Sequence, residues 1–143
     1  MIKSYTGKLD IGVERKISLS TSNGLTGYKI KKFMIMSATP SVGDQSYVAK
    51  ITTVPDSNIA PTVNLGDKTV IAVVYYQDNP ATAYPSATDI IIDTTIVNQD
   101  VFVNITSPTG TTVQCNYYLE LEQMNITEDQ ALVATITNLR NNQ

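Results

Sequence analysis

The chain has 143 residues, 42% apolar and 16% charged, with no His, no Trp and one Cys. That length fits a single domain able to bury a real core. Without His it lacks the commonest general base, the commonest metal ligand and every Ser-His or Cys-His nucleophile, which disfavours much of enzyme chemistry.

Val, Ile, Thr and Tyr number 13, 15, 19 and 8, the composition of an all-β protein. The net charge of −3 is unevenly spread. Residues 1–50 hold eight basic side chains against three acids, giving +5; residues 51–143 hold two against ten, giving −8. Strands interleave in a β fold, so a solvated, unevenly charged surface is the simpler outcome. A basic patch meeting a neighbour's acidic one is the sharper outcome. Cys115 has no partner for an internal disulfide and sits in an apolar run, as a buried inert thiol does. Met1–Tyr5 contains no apolar signal-peptide core. No apolar stretch approaches the ~18 residues of a membrane span. Synthesis in a cytoplasm without a cleaved signal is the expectation. Asn104-Ile105-Thr106 and Asn125-Ile126-Thr127 fit the glycosylation pattern, which Asn and Thr abundance explains by chance.

The predicted elements run as follows. Leu9 and Ile11, then Ile17 and Leu19, share faces of two short strands, with Gly12 marking a bulge or turn between them. Ser22-Asn23-Gly24 is a strong turn signal. Tyr28–Met36 begins polar and ends fully apolar, like a strand entering a core from an exposed end. A turn over Pro40–Asp44 and a strand over Tyr47–Val54 follow, and Pro55 ends that strand. Residues 55–68 form a long loop. Thr69–Tyr76 is the most apolar run, the mark of a strand buried on both faces or of an interface strand. Residues 77–88 form a second long loop. Strands are expected over Asp89–Val97 and around Val101, Val103 and Ile105, with a hairpin turn at Pro108-Thr109-Gly110. From Val113 to Met124, Tyr117, Leu119 and Leu121 line one face; Tyr118, Glu120 and Glu122 line the other.

The C-terminus changes character. Thr127 and Gln130 form a capping box, and Glu128 and Asp129 suit the positive end of a helix. Leu132, Ile136 and Leu139 recur at i, i+4 and i+7, which predicts a short amphipathic helix over 128–140. A final strand is the rival, since Val133, Thr135 and Thr137 also alternate. The expected architecture is an antiparallel β-sandwich over 1–126, jelly-roll-like, with a C-terminal helix or arm over 127–143.

No catalytic constellation stands out, and no metal or cofactor is implied. Glu120 and Glu122 are about 6.5–7 Å apart on one strand face, a spacing compatible with acid/base work or Ca²⁺, although a solvated face explains them more simply. Asp89 and Asp93 are about 13 Å apart, too far for one metal. Lys29, Lys31 and Lys32, beside Tyr28 and Phe33, are too few for a nucleic-acid platform in so acidic a chain. Tyr76, Tyr84 and Tyr118 could stack on sugars, a reading that the missing Trp weakens. Each adjacent Tyr pair offers one core ring and one surface ring, and surface rings suit interface anchors. The stripe of Leu132, Ile136 and Leu139 must be covered, by the chain's own sandwich or by another subunit.

Gly27–Ser37, Asp93–Asn104 and Tyr117–Glu122 resemble segments of small virion proteins of tailed bacteriophages. The resemblance is one of style and extends over residues 5–126: Thr, Asn and Ile abundance, few charges, no Cys framework, and short strands joined by Pro/Asn loops. It implies a non-enzymatic role in the virion, as a capsid decoration or cement protein, a minor capsid protein, or a neck or tail component. The partners it implies are the major capsid protein, other virion proteins or copies of the chain itself, with no nucleic acid and no membrane. A carbohydrate-binding or adhesive module at a virion or cell surface is the alternative, recognisable by a concave rim built from residues 77–88 with Tyr84. The interface residues expected are Tyr76, Tyr84, Tyr118, Leu132, Ile136 and Leu139.

Overall fold

A computed structural model describes residues 1–19, 24–40, 43–56, 58–78, 86–92 and 94–141, with only the backbone described at 86 and 135–141. Among the described residues, eight strands and one helix follow in chain order: β1 (Ile2–Leu9), β2 (Glu14–Ile17), β3 (Thr26–Ser37), β4 (Gln45–Thr52), β5 (Val70–Asp78), β6 (Ser86–Ile91), β7 (Val101–Thr106), β8 (Cys115–Asn125) and α1 (Glu128–Asn141). All pairing is antiparallel, in a three-stranded sheet β1-β8-β3 and a five-stranded sheet β2-β7-β4-β5-β6. This is the expected all-β sandwich with a C-terminal helix.

The topology is jelly-roll-like, with one departure. A rolled ribbon of eight strands pairs first with eighth, second with seventh, third with sixth and fourth with fifth. Three of these pairs form here, β1 with β8, β2 with β7 and β4 with β5. The sixth strand instead adds to β5, so it extends the larger sheet. Beside β3 its place is taken, among the described residues, by Val97 alone, which exchanges two backbone hydrogen bonds with Tyr28 at 2.8 and 2.9 Å. The strand expected over Asp89–Val97 is therefore divided. Its first part pairs with β5 as far as Ile91, and Val97 belongs to β3.

Alternation builds the core. In β8, Cys115, Tyr117, Leu119 and Leu121 face inward, where Leu119 lies opposite Phe33 of β3. The facing sheet contributes Tyr47, Ala49 and Ile51 of β4, Val74 and Tyr76 of β5, and Val103 and Ile105 of β7. One glycine admits close neighbours and another makes a turn. A Cβ on Gly27 would come within 2.7 Å of Ile96 and 2.8 Å of Ile126, so Gly27 lets β3 pass under the residues that lead to α1. Gly12 has φ +82° and turns β1 into β2 as predicted.

β5 is buried on both faces from Val70 to Val74, as its continuous apolar run foretold. Its outer face is covered from the β4–β5 connection. Lys50 of β4 points outward yet is only 6% exposed, and its ammonium donates to the carbonyls of Ala60 and Thr62, each at 3.0 Å. Asp56 adds a longer ion pair at 3.9 Å. Val48, Val70 and Val73 form a second small apolar cluster on that side.

The helix starts where the capping box placed it. Gln130 N–H donates to Thr127 Oγ1 at 3.2 Å, and Thr127 N–H donates to Gln130 Oε1 at 3.0 Å. The rival final strand is not formed. Replacing Thr127 with Ala removes the hydroxyl that accepts from Gln130 N–H and leaves the backbone half of the box, and the expected loss is about 1 kcal/mol of helix stability. Circular dichroism of the variant should show reduced helical signal with the β signal intact.

Candidate functional site

Of the six residues expected at an interface, Tyr76 is corrected by the structure. It is 5% exposed and packs at 6.1 Å, ring to ring, against Tyr47 in the core. Its neighbour Tyr75 is the outward ring, 37% exposed. Tyr84 lies outside the described residues, as do most of the loop 77–88 and the rim expected there. The side chains of Ile136 and Leu139 also lie outside them. Tyr118 and Leu132 do reach the surface, the first half-buried and the second exposed, on different elements.

Tyr118 belongs to the outer face of the three-stranded sheet. Cross-strand register sets Thr6, Tyr118 and Met34 in one row and Lys8, Asn116 and Met36 in the next. Ser4, Glu120 and Lys32 form a third row; Ile2, Glu122 and Lys29 form a fourth. Met34 and Met36 are 56% and 55% exposed. This corrects the expectation that β3 ends wholly inside the core. The strand alternates to its end, with Phe33 and Ile35 buried and the two Met side chains outside. The bulge between Ile30 and Lys32 places both Lys31 and Lys32 outward.

The same face holds the two carboxylates considered for chemistry. Tyr118 O–H donates to Glu120 Oε2 at 3.1 Å, and this bond holds the phenol above its ordinary pKa. Glu122 pairs with Lys31 at 3.2 Å. Each carboxylate thus has its own neighbour in a sheet surface that carries Lys8, Lys29, Lys31 and Lys32, an excess of positive charge over Glu120 and Glu122.

α1 is the second surface element. Ile126 is buried and its N–H donates to Leu25 O, which fixes the approach to the helix. Asn98 Nδ2 then donates to Ala131 O at 3.3 Å and to Gly24 O at 3.2 Å. Beyond this tether, α1 packs broadly on no strand among the described residues. A cavity of about 460 Å³ separates it from residues 94–98, Thr53 and Lys68. Leu132 and Val133 are consequently 59% and 64% exposed, and Glu128 and Asp129 are exposed in the first turn. The buried Thr53 hydroxyl at this cavity has no hydrogen-bond partner.

The remaining chemical candidates are quiet. Among the described residues no three His, Cys, Asp or Glu side chains cluster as metal ligands, and no helix is long and apolar enough to cross a membrane. Asn104 is wholly buried, so the pattern at 104–106 does not present its amide to solvent. Burial pushes the Cys115 thiol up to about 12. It also raises Tyr47 and Tyr76, the latter with help from the nearby Asp78 carboxylate. These groups hold their protons more tightly when folded. Their contribution is complete below the ordinary thiol value of 9.0 and is lost as pH climbs towards 12. Stability should therefore fall above pH 9, less steeply in Cys115→Ala; the wild-type thiol should resist thiol reagents at neutral pH until denaturant is added.

Compared with known protein families and with curated proteins, the chain matches none of them.

Proposed function

We propose that this chain is a non-enzymatic structural protein of a virus particle, a capsid decoration or minor capsid protein that binds the shell or its own copies. The observation that carries this reading is α1, a capped helix tethered at its start whose Leu132 and Val133 stand in solvent. Exposed apolar side chains on a helix that, among the described residues, packs broadly on no strand of its own sandwich are what a docking element presents. The outer face of β1-β8-β3 supports the same reading, because Tyr118, Met34 and Met36 are residue types that interfaces favour. Glu120 and Glu122, each engaged by a neighbouring side chain, suit a sheet surface better than an acid/base pair.

Particles purified from a culture that makes the protein should carry it in many copies, as mass spectrometry would count them. Leu132→Glu/Val133→Glu alters only exposed side chains, so it should fold normally and be depleted from the particles. Absence of the wild-type chain from particles overturns the virion reading; undiminished incorporation of the double variant overturns the role of α1.

A further inference from the structure

We infer that the occupant of the β1-β8-β3 outer face is α1 of a second copy of this chain, an inference that rests on the assembly role proposed above. Three observations carry it.

The first is charge. The face bears Lys8, Lys29, Lys31 and Lys32 against Glu120 and Glu122, whereas the first turn of α1 bears Glu128 and Asp129, both exposed. Four of the eight basic side chains of residues 1–50 thus lie on this sheet face, and two of the ten acids of residues 51–143 open the helix.

The second is spacing. Glu128 and Leu132 share a helix face four residues apart, about 6 Å along the axis. Lys32 and Met34 share a strand face two residues apart, roughly 7 Å. A helix laid parallel to β3 sets Glu128 over Lys32 as Leu132 meets Met34 and the Tyr118 ring, which lie in one cross-strand row. Asp129 and Val133, on the adjoining line of the helix, border the cavity towards residues 94–98 and leave the Glu128–Leu132 line to the contact.

The third is reach. Asn125, the last residue of β8, lies opposite Thr26 of β3. Lys32 is six residues further along that strand, about 20 Å away. Three residues take the chain from Asn125 to Glu128, at most about 11 Å. A chain's own helix is instead led away from Lys32, because Ile126 N–H is bound to Leu25 O and Asn98 holds the Ala131 carbonyl beside residues 94–98. The occupant comes from another copy.

Cross-linking tests the contact. Met34→Cys and Leu132→Cys proteins, each otherwise full length, are mixed and mildly oxidised. Both positions are exposed, and the native Cys115 is buried. A disulfide-linked heterodimer, well above the yield of either variant alone, is the expected product. Light scattering should give a multiple of 15.6 kDa for the wild-type chain, falling to the monomer in Met34→Glu/Met36→Glu. Glu128→Lys should weaken association, and adding Lys32→Glu should restore it. No heterodimer in the mixture overturns the inference. A monomer at every concentration also overturns it, and leaves the virion reading to stand on the particle assay. Heterodimer formation by a protein absent from particles upholds this contact and overturns the virion reading alone.

Discussion

Replacing Phe33 with Ala should remove about 3–5 kcal/mol of stability, enough to unfold much of a domain whose total is about 5–15 kcal/mol. Phe33 is among the largest fully buried side chains and lies directly opposite Leu119, near the middle of β8. β8 is the only strand of the three-stranded sheet with a neighbour on both sides, so an opening at this point loosens β1 and β3 together. The loss is the ring's transfer free energy plus the cavity it leaves, and the rigid strands on either side limit collapse into that space. Phe33→Leu retains most of the volume and should cost far less. Denaturant unfolding of the pair separates the two: a similar small loss in both would mean that the inter-sheet core does not rest on this ring. The neighbouring Met34→Glu, whose side chain is outside, should leave the midpoint nearly unchanged.

That contrast between adjacent residues also shows what the sequence could express. β8 was legible because apolar and polar residues alternate along it, so each polar side chain marks the outward face for its neighbours. The capping box was legible because its bonds are local. Phe33-Met34-Ile35-Met36 carries no polar residue to mark a phase, and the outward Met positions appear only once β8 fixes the register. Tyr75 and Tyr76 pose the same problem at the end of β5. Five residues buried on both faces precede them, so no alternation says which ring turns inward. The end of β6 is set by its ladder with β5 and not by the β-branched residues that continue past it. Of the candidate site, Tyr118 and Leu132 were readable as surface residues, since each lies in a clear period. The Met34–Met36 patch was not, and its signal was available only as three lysines earlier in β3 and one on β1.

Lys50 was the least legible residue of all, since a Lys within an apolar strand ordinarily marks a solvent-facing position. Here the 55–68 connection folds over it, and the expected cost of Lys50→Ala is about 2–3 kcal/mol, the range of lost hydrogen bonds to a charged group. The loss comes mainly from the carbonyls of Ala60 and Thr62, which share the ammonium at 3.0 Å and lose their donor. Asp56 contributes less, being a quarter exposed and 3.9 Å away. Asp56→Asn should therefore cost well under 1 kcal/mol, in the range of partly solvated ion pairs. Lys50→Met keeps the apolar stem over Val48 and Val73 and removes the ammonium with its hydrogen bonds and ion pair, so it separates these from the packing of the stem. If the carbonyls hold the connection down, Lys50→Met should approach Lys50→Ala in its stability loss, and limited proteolysis should cut within residues 55–68 in both. Equal losses in Asp56→Asn and Lys50→Met would instead assign the connection's hold to the ion pair. Retained protection of 55–68 in Lys50→Met would show that the Val48–Val70–Val73 cluster alone keeps that side of the sandwich covered.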